Sequence, residues 1–455
     1  NDVSLINMYL QQLGRTPFFK KQKPTPFDEA QSLIWYLENV FYEAIGSIAS
    51  DLKTTFGGEK LDLSRLVKMG FWSGGDRDGN PFVTFETTLR TADALKRAIL
   101  RCYYNDLRRL KRRLTFTGVD AALAELEQKL YQDAFQEEKR GLTKAEIMEK
   151  LQDIRQTIIE KHNGLFVHLI DNLIEKAEIF GLYFAALDVR QDSSVHARVL
   201  ADIAAQGFLP ENYAALADAE KAEALLNVKR AAPAESFTDE LTRDTLQTVA
   251  AIRQIQSENG VQGCHRYIIS HSESALNIIE VFGLLLLGGW EKENLSVDIV
   301  PLFETIADLQ GAAKIMRELY ETAVYREHLA RRGDAQTIML GFSDGTKDGG
   351  YLMANWSIYK AKKELTELAR EYGISVVFFD GRGGPPARGG GKTHKFYSSM
   401  GAEIANDSIE LTVQGQTVSS NFGTIAAAML GLGRALGETV AVLIILIQRR
   451  RKSVR

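Results

Sequence analysis

Carboxylates and a lysine follow two of the short apolar runs in this 455-residue chain. Glu304 comes directly after the run 297–303, and Asp344 and Lys347 come just after the run 337–342. Carboxylate oxygens are the hard ligands that Mg²⁺ and Mn²⁺ prefer. Either carboxylate alone is more typical of a helix N-cap, but the pair favours a divalent-metal site. The spacing fits Lys347 equally well as a salt-bridge partner of its acidic neighbours or as a proton-transfer group.

A glycine-rich segment at 381–392 carries two arginines, Arg382 and Arg388. Its glycines, among them Gly389 and Gly390, let the backbone approach an anion closely, and arginine binds phosphate or carboxylate through paired hydrogen bonds. The segment ends like a Walker A loop, but a proline stands where the first glycine of that loop is required. A flexible linker is the alternative, and the two arginines favour an anion-binding loop over it.

Two further arginines lie at predicted strand ends. Arg77 is within the segment 74–81, and Arg190 is within 188–191. Both have aspartates beside them in sequence, so local ion pairing is the alternative to anion binding. Together with the glycine-rich segment and the two carboxylates, these cations predict a site for a small polyanion that carries phosphate.

These polar segments are positioned by a repeated pattern of apolar run, polar loop and helix. Seven β-prone runs show it, at 66–72, 183–187, 267–270, 297–303, 337–342, 374–379 and 409–413. Such alternation predicts parallel strands, and polar groups at their carboxyl ends are typical of barrel enzymes. The predicted fold class is α/β, a (β/α)8 TIM-type barrel with large additional helical content. With seven strands it is one short of closure, and it is expected to be incomplete at both ends.

Composition limits the possible classes of protein. Hydrophobic residues make up 45% and charged residues 25%, which is typical of a folded globular chain and excludes a disordered, collagen-like or multispanning membrane protein. The net charge of −4 and the pI near 6.1 indicate no nucleic-acid partner. Cys102 and Cys264 belong to no CxxC or Cys/His cluster. A disulfide scaffold and a zinc site are therefore not expected, and a cytoplasmic location is.

One local exception to the mild charge is a basic stretch near the end of the helix predicted over 91–114. It contains Arg108, Arg109, Lys111, Arg112 and Arg113. A solvated helix face is the simpler interpretation, and an anion or nucleic-acid patch is the alternative. Further along, Thr143 and Glu146 predict a capping box that begins a helix toward His162.

Six separated motifs resemble those of phosphoenolpyruvate carboxylases, and their order matches as well. They are GGDRDGNPFVT at 74–84, LDVRQDS at 187–193, PLFET at 301–305, GFSDGTKDGG at 341–350, GRGGPPARGGG at 381–391 and TVQG at 412–415. The resemblance runs from about Leu13 to about Thr424. It implies a barrel with many extra helices, usually a homotetramer. It also implies Mg²⁺-dependent, anaplerotic carboxylation of phosphoenolpyruvate by bicarbonate, giving oxaloacetate and phosphate.

The resemblance implies a role for each matching residue. Glu304 and Asp344 resemble the ligands of Mg²⁺ (or Mn²⁺), which would hold the enolate oxygen formed in the reaction. Lys347 resembles the active-site lysine of the family.

The arginines divide into two groups by the same comparison. Arg190 and Arg382 resemble the phosphate-binding arginines. Arg77 fits the second-strand motif of the family and is ranked below them as a substrate-binding residue. Arg388, next to Gly389 and Gly390, resembles the arginine of a glycine loop that assists carboxylation and shields the enolate from water.

The sequence departs from the family in several places. Asp380 stands where the family often has histidine, and Gly345 and Gly349 stand for serine and alanine. The family's catalytic histidine lies in a Thr-Ala-His-Pro-Thr segment, and this sequence contains no His-Pro dipeptide. A further phosphate-binding arginine and most of an inhibitor site are also missing. We therefore expect an incomplete fragment with little or no carboxylase activity, or alternatively a remnant that binds Mg²⁺ and phosphoenolpyruvate without turning it over.

The expected organisation has three parts: an N-terminal helical segment at 1–65, the barrel at 66–424 (strands 2–8), and an apolar, basic tail at 425–455. Helical insertions are expected at about 92–175 and 205–255. The tail run 430–442 resembles a cytoplasmic loop of phosphate ABC-transporter permeases, which makes a permease fragment a third alternative. A partial membrane span and an amphipathic helix are two interpretations of the tail. A spliced or misassembled terminus, with no genuine membrane partner, is favoured over both.

Overall fold

The computed structural model describes residues 2–16, 23–55, 67–136, 141–381, 393–406, 408–437 and 442–448. Within these ranges the chain forms a curled parallel sheet surrounded by helices. The fold is the predicted α/β class, an incomplete (β/α) barrel with much additional helix.

The strands are all paired in parallel. In chain order they are β1 Val67–Phe71, β2 Ala186–Leu187, β3 Val189–Asp192, β4 Arg266–Ser270, β5 Asp298–Phe303, β6 Ala335–Leu340, β7 Ser375–Asp380, β8 Ser408–Gln414 and β9 Val442–Gln448. Their spatial order is β2-β1-β9-β8-β7-β6-β5-β4-β3. Consecutive strands from β3 to β8 are neighbours, as expected when each strand is followed by a crossover helix.

The helices lie before, between and after these strands. They are α1 Asp2–Arg15, α2 Pro26–Tyr36, α3 Tyr42–Thr55, α4 Phe85–Lys111, α5 Val119–Phe135, α6 Lys144–His162, α7 Val167–Phe180, α8 Ser193–Ala205, α9 Asp218–Leu226, α10 Glu240–Asn259, α11 Ala275–Leu287, α12 Ile306–Glu321, α13 Ala323–Arg331, α14 Phe342–Glu371, α15 Thr393–Ser398, α16 Gly415–Phe422 and α17 Ile425–Gly437. A π-helical stretch, Leu37–Phe41, joins α2 to α3. None of the helices in the described ranges is both long and apolar enough to cross a bilayer.

Local sequence explains where several helices begin. The predicted capping box at α6 is confirmed, since Thr143 accepts from the backbone of Glu146 and the Glu146 side chain accepts from Thr143. The same arrangement, with Thr305 and Asp308, begins α12 directly after β5. Each box satisfies backbone N–H groups that the first helical turn leaves free.

One strand prediction was misplaced. The run 183–187 was expected to be a strand and 188–192 a loop, but only Ala186–Leu187 is strand before the break, and Val189–Asp192 continues it. The reason is pairing with the segment after β1: the Arg190 N–H donates to the Gly75 carbonyl, and the Arg77 N–H donates to the Arg190 carbonyl. These bonds hold Arg190 in extended backbone.

The C-terminal tail contributes both a helix and a strand. In α17, Ala428 packs with Val40 and Ala44 of the N-terminal helical layer. The backbone of β9 pairs with β8, Ser408 opposite Val442, and with β1, Val67 opposite Leu443. The tail therefore lies between the first and last of the predicted strands.

The inside of the curled sheet has its own apolar cluster. It comprises Trp72, Ile268, Val300, Leu302, Met339 and Phe379, separate from the larger core between sheet and helices. The rings of Trp72 and Phe379 lie 5.9 Å apart across this interior. This cluster fills the barrel and forms the base on which the polar strand ends lie.

A charged group shares this interior with the apolar cluster. Arg266 at the start of β4 forms two hydrogen bonds with Glu410 of β8, Nη1 to Oε2 at 2.8 Å and Nη2 to Oε1 at 2.7 Å. Asp188, between β2 and β3, is only 1% exposed. Neither of its carboxylate oxygens has a hydrogen-bond partner among the described residues. Burial above all raises the pKa of Asp188 to about 7, against the lowering effect of Arg266.

We expect Asp188→Asn to stabilise the fold near neutral pH and to lose this effect in acid. In the unfolded chain this carboxyl loses its proton near its ordinary pKa of 3.8, whereas in the fold it keeps the proton to about pH 7. Between these values the folded state holds the extra proton, so wild-type stability falls as pH rises. The variant should gain about 4 kcal/mol above pH 7 and almost nothing below pH 4. Denaturation at several pH values measures it. Exposed Asp153→Asn is the control, and an equal gain from both variants would contradict the prediction.

Candidate active site

The carboxyl ends of β1, β3, β5, β6, β7 and β8 surround one cavity of about 120 Å³. It is lined by Trp72, Arg190, Leu302, Glu304, Met339, Gly341, Phe342, Ser343, Asp344, Gly381 and Thr412. Three of these residues were predicted from the sequence as site residues: Arg190, Glu304 and Asp344. The structure therefore brings together one cation and two carboxylates whose positions in sequence span 154 residues (344 − 190).

Arg190 is the central cation of the site. Its Nη2 lies 2.5 Å from Asp78 Oδ2 and 3.5 Å from Glu304 Oε1, and its guanidinium lies 5.5 Å from the centre of the Trp72 ring. Burial opposes its charge, but the surrounding carboxylates, led by Asp76 and Asp78, outweigh burial and raise the pKa of Arg190. The guanidinium is thus permanently charged and already surrounded by anions.

Glu304 occupies the first position after β5 and is 9% exposed. Its backbone N–H donates to Asp308, the residue that also caps α12, so the capping box fixes the start of the turn. Burial and the negative charge of Asp344 raise the pKa of Glu304, and Arg190 opposes the rise. The local negative charge around Glu304 is therefore only partly neutralised.

Asp344 lies in the first turn of α14, just after β6, and Lys347 lies in the second turn. Lys347 Nζ lies 2.5 Å from Asp344 Oδ1, and its side chain is 73% exposed. Both interpretations of Lys347 stay open, because its ammonium is paired with Asp344 while most of its side chain is exposed to solvent. Gly341, between β6 and α14, packs so closely on Glu304 that an added Cβ would lie 3.0 Å from the Glu304 Cα. That glycine keeps the two carboxylate-bearing turns in contact.

A divalent metal fits this pair of carboxylates. No group of three or more His, Cys, Asp or Glu side chains with metal-binding geometry occurs in the described ranges. Magnesium, however, is commonly held by one or two carboxylates together with substrate phosphate and water. Glu304 and Asp344 supply two hard oxygen donors whose mutual repulsion a cation would relieve.

Arg77 does not line the cavity. It is buried, its Nη2 donates to Thr88 Oγ1 at 2.9 Å, and its Nε lies 3.6 Å from Asp244 Oδ2. The structure thus shows the ion pairing that was the alternative for Arg77, although with a distant aspartate of α10 and not a neighbour in sequence. Its observed contacts hold the turn after β1 against α4 and α10.

The glycine-rich loop lies outside the described residues from 382 to 392, together with Arg382, Arg388, Gly389 and Gly390. Asp380 ends β7, where its Oδ2 accepts from Lys362 Nζ at 2.9 Å and from the Tyr397 hydroxyl at 2.6 Å. Lys362 is 1% exposed, so a buried ion pair anchors the point at which the loop begins.

One pair at the mouth was missed by the sequence analysis. His271, just after β4, places its Nδ1 2.5 Å from Asp192 Oδ2 at the end of β3. Burial disfavours the imidazolium, but the hydrogen bond and charge of Asp192 outweigh it and raise the pKa of His271. His271 also has a backbone φ of 52°, which is unusual for a residue other than glycine. Its position directly after a predicted strand was the available signal.

Comparison with known proteins agrees with this geometry. The family model described as "Phosphoenolpyruvate carboxylase" matches residues 3–141 and 121–449. The chain is 32% identical to a phosphoenolpyruvate carboxylase of Xanthomonas euvesicatoria pv. vesicatoria (strain 85-10), over 97% of this chain and 53% of that protein. It is also 32% identical to the phosphoenolpyruvate carboxylase of Xanthomonas campestris pv. campestris (strain 8004), over 96% of this chain and 53% of that protein.

The match has two features that matter for interpretation. The chain spans about half the length of the curated relatives that it matches. The family match also continues to residue 449, past the boundary at 424 where the sequence motifs end. The match covers nearly the whole chain, and the cavity residues Arg190, Glu304 and Asp344 lie within it: the chain belongs to the phosphoenolpyruvate carboxylase family.

Proposed function

We propose that this chain carries the metal- and phosphate-binding part of an enzyme that carboxylates phosphoenolpyruvate with bicarbonate, giving oxaloacetate and phosphate. The observation that supports this is the convergence of Arg190, Glu304 and Asp344 on one cavity. A cation and two partly neutralised carboxylates match the opposite needs of a phosphate ester and a divalent metal ion.

The charge of each residue in the cavity determines its proposed role. Arg190 would bind the phosphate group by exchanging its contact with Asp78 for two phosphate oxygens. Glu304 and Asp344 would hold Mg²⁺ or Mn²⁺. When bound, the metal would stabilise negative charge on the enolate oxygen. Trp72 at the cavity wall would keep water from the reacting end of the substrate.

The loop residues complete the proposal. Arg382 would be a second phosphate ligand, and Arg388, beside Gly389 and Gly390, would act in carboxylation. These assignments follow from the motif alone. Lys347 would be the proton-transfer or charge-stabilising group beside Asp344. The family's cytoplasmic homotetramer is the assembly that we propose for the complete enzyme.

A binding-only function is the second candidate. It is supported by the same cavity, which offers oxygen donors for a metal and a cation for phosphate, while His271 at the mouth is held by Asp192. In that case the chain would bind Mg²⁺ and phosphoenolpyruvate but form oxaloacetate slowly or not at all. The two functions share a site and differ only in turnover.

We expect phosphoenolpyruvate to bind the purified chain at least tenfold more tightly with Mg²⁺ than with a chelator, because two carboxylates at the cavity repel the substrate until a cation neutralises them. Calorimetric titration with and without Mg²⁺ measures this. Oxaloacetate formation, followed by reduction with a coupled dehydrogenase, then separates turnover from binding alone. Equal weak binding in both titrations would reject the proposed site.

A further inference from the structure

The basic stretch at the end of α4 contains two kinds of cation in the structure: those that form ion pairs with carboxylates and those that do not. Lys111 pairs with Glu127, and Arg108 Nε lies 3.7 Å from the same carboxylate. Arg109 Nη1 lies 2.9 Å from Glu43 Oε1. These three cations are therefore explained as ion pairs that hold α4 against α5 and α3.

Arg112 and Arg113 are different. Both are exposed, and within the described part of the chain neither side chain has an ion pair or a hydrogen bond. Both line a cavity of about 430 Å³ between the end of α4 and α7. Two like charges side by side without a counter-ion repel each other, so an anion between them is favoured.

The other charged residues of the cavity wall are already paired with each other or with Glu43. Lys176 of α7 is 8% exposed and lies 2.9 Å from Glu43 Oε2 and 3.0 Å from Asp106 Oδ2. Its ammonium also lies 4.2 Å from the centre of the Tyr42 ring. Glu43 and Asp106 already neutralise Lys176 and Arg109. The positive charges of Arg112 and Arg113 therefore have no counter-ion among the described residues.

One side of the same cavity is apolar. Leu110, Leu169 and Leu173 line it, with the exposed amide of Asn172 at its edge. A cavity with two unpaired arginines and an apolar floor suits a ligand with a phosphate end and a carbon skeleton. Its volume lies in the ordinary range of small-molecule sites, about 300–1,000 Å³.

The cavity is far from the barrel mouth. Helix α4 begins just after the turn that holds Asp78 against Arg190, and its 27 residues make it roughly 40 Å long. Arg112 and Arg113 follow its far end. A ligand bound there cannot be the one that contacts Glu304 and Asp344.

We propose that this cavity, bounded by α4 and α7, is a binding site for a small phosphorylated organic compound, separate from the candidate active site. Arg112 and Arg113 bind the phosphate group, and the three leucines contact the carbon skeleton. Nucleic acid is disfavoured as the ligand because the chain has a net charge of −4 and because three of the five basic residues are ion-paired. The proposal does not depend on the proposed function.

The test is a titration with phenyl phosphate and inorganic phosphate, each followed by calorimetry at low and moderate salt. We expect phenyl phosphate to bind more tightly than inorganic phosphate, because only the ester reaches the leucines. Arg112→Gln/Arg113→Gln should weaken phenyl phosphate binding at least tenfold. Leu169→Ala should weaken phenyl phosphate binding while leaving inorganic phosphate binding unchanged.

Three comparisons make the outcome unambiguous. Lys161→Gln/Lys229→Gln removes the same charge at two exposed lysines outside the cavity and should leave binding unchanged. Arg190→Gln removes the phosphate ligand of the mouth and should leave phenyl phosphate binding at the cavity intact. Loss of binding in Arg190→Gln with full binding in the Arg112/Arg113 double variant would overturn the proposal. So would binding of a single-stranded oligonucleotide without binding of phenyl phosphate.

Discussion

Glu304→Gln should abolish the part of phosphoenolpyruvate binding that depends on Mg²⁺ while making metal-free binding somewhat stronger. The carboxylate is one of two hard oxygen donors at the cavity, and an uncharged amide is a much weaker ligand for Mg²⁺. Replacing a group that only orients a ligand costs 10- to 100-fold in metal affinity, so losing a direct ligand should cost about 100-fold or more. Calorimetric titration measures the affinity of the variant for Mg²⁺ and its affinity for phosphoenolpyruvate with and without Mg²⁺.

Phosphoenolpyruvate binding in the presence of Mg²⁺ discriminates between two roles for Glu304. Its Oε1 lies 3.5 Å from Arg190 Nη2, so the residue is also a counter-ion of the phosphate-binding cation. If Glu304 were only a counter-ion, its neutralisation would free Arg190 and strengthen phosphoenolpyruvate binding with and without metal. A metal ligand predicts the opposite result in the presence of Mg²⁺.

We expect the Glu304→Gln variant to remain folded, so a loss of binding would not result from unfolding. Burial and Asp344 raise the pKa of Glu304, which means that its negative charge is costly in the fold. Glutamine removes that cost, so the variant should be at least as stable as the wild type. Glu273→Gln, after β4 at the same end of the sheet but outside the cavity lining, is the matched control. Wild-type Mg²⁺ affinity in Glu304→Gln would exclude the metal-ligand role.

Much of the fold could be predicted because it depends on local pattern. Each apolar run of the sequence contains or borders a strand, and the crossover helices follow because Thr305 and similar residues cap them. Glu304 and Asp344 could be placed at one site because the carboxyl ends of neighbouring parallel strands meet at the same edge. The order of strands β3 to β8 then follows from the chain.

The features of the fold and of the site that could not be predicted depend on contacts between residues far apart in sequence. Nothing in the segment around Arg77 indicates that its guanidinium turns toward Asp244, 167 positions away by number (244 − 77). The pairing of His271 with Asp192 could not be predicted either, because the two residues are 79 positions apart and meet only when their strands lie side by side. The contribution of β9 was also unpredictable, because an apolar tail of that length is compatible with a helix, a strand or a membrane segment.

Glu410→Gln should destabilise the fold by about 3–5 kcal/mol, the range typical for removing one partner of a buried ion pair. Arg266 and Glu410 are 8% and 2% exposed and are joined by two hydrogen bonds across the barrel interior. Burial opposes the charge of Arg266, and Glu410 more than compensates for it. Without Glu410, a charged guanidinium is left in an apolar interior, where Asp188 and Asp298 are the remaining carboxylates that favour its charge. Chemical denaturation followed by circular dichroism measures the loss.

Two further variants identify the cause as the unpaired charge. Glu403→Gln removes a carboxylate paired with Lys363 at the surface, and we expect it to cost less than about 1 kcal/mol. Arg266→Met/Glu410→Met removes both buried charges and should recover most of the stability that Glu410→Gln loses, because no uncompensated ion remains. If the double variant is as unstable as the single one, packing at β8 and not charge pairing is what Glu410 supplies. Ile268 of β4 lies in the same interior cluster as Trp72 and Leu302, which line the cavity. Glu410→Gln should therefore displace this cluster and also weaken phosphoenolpyruvate binding.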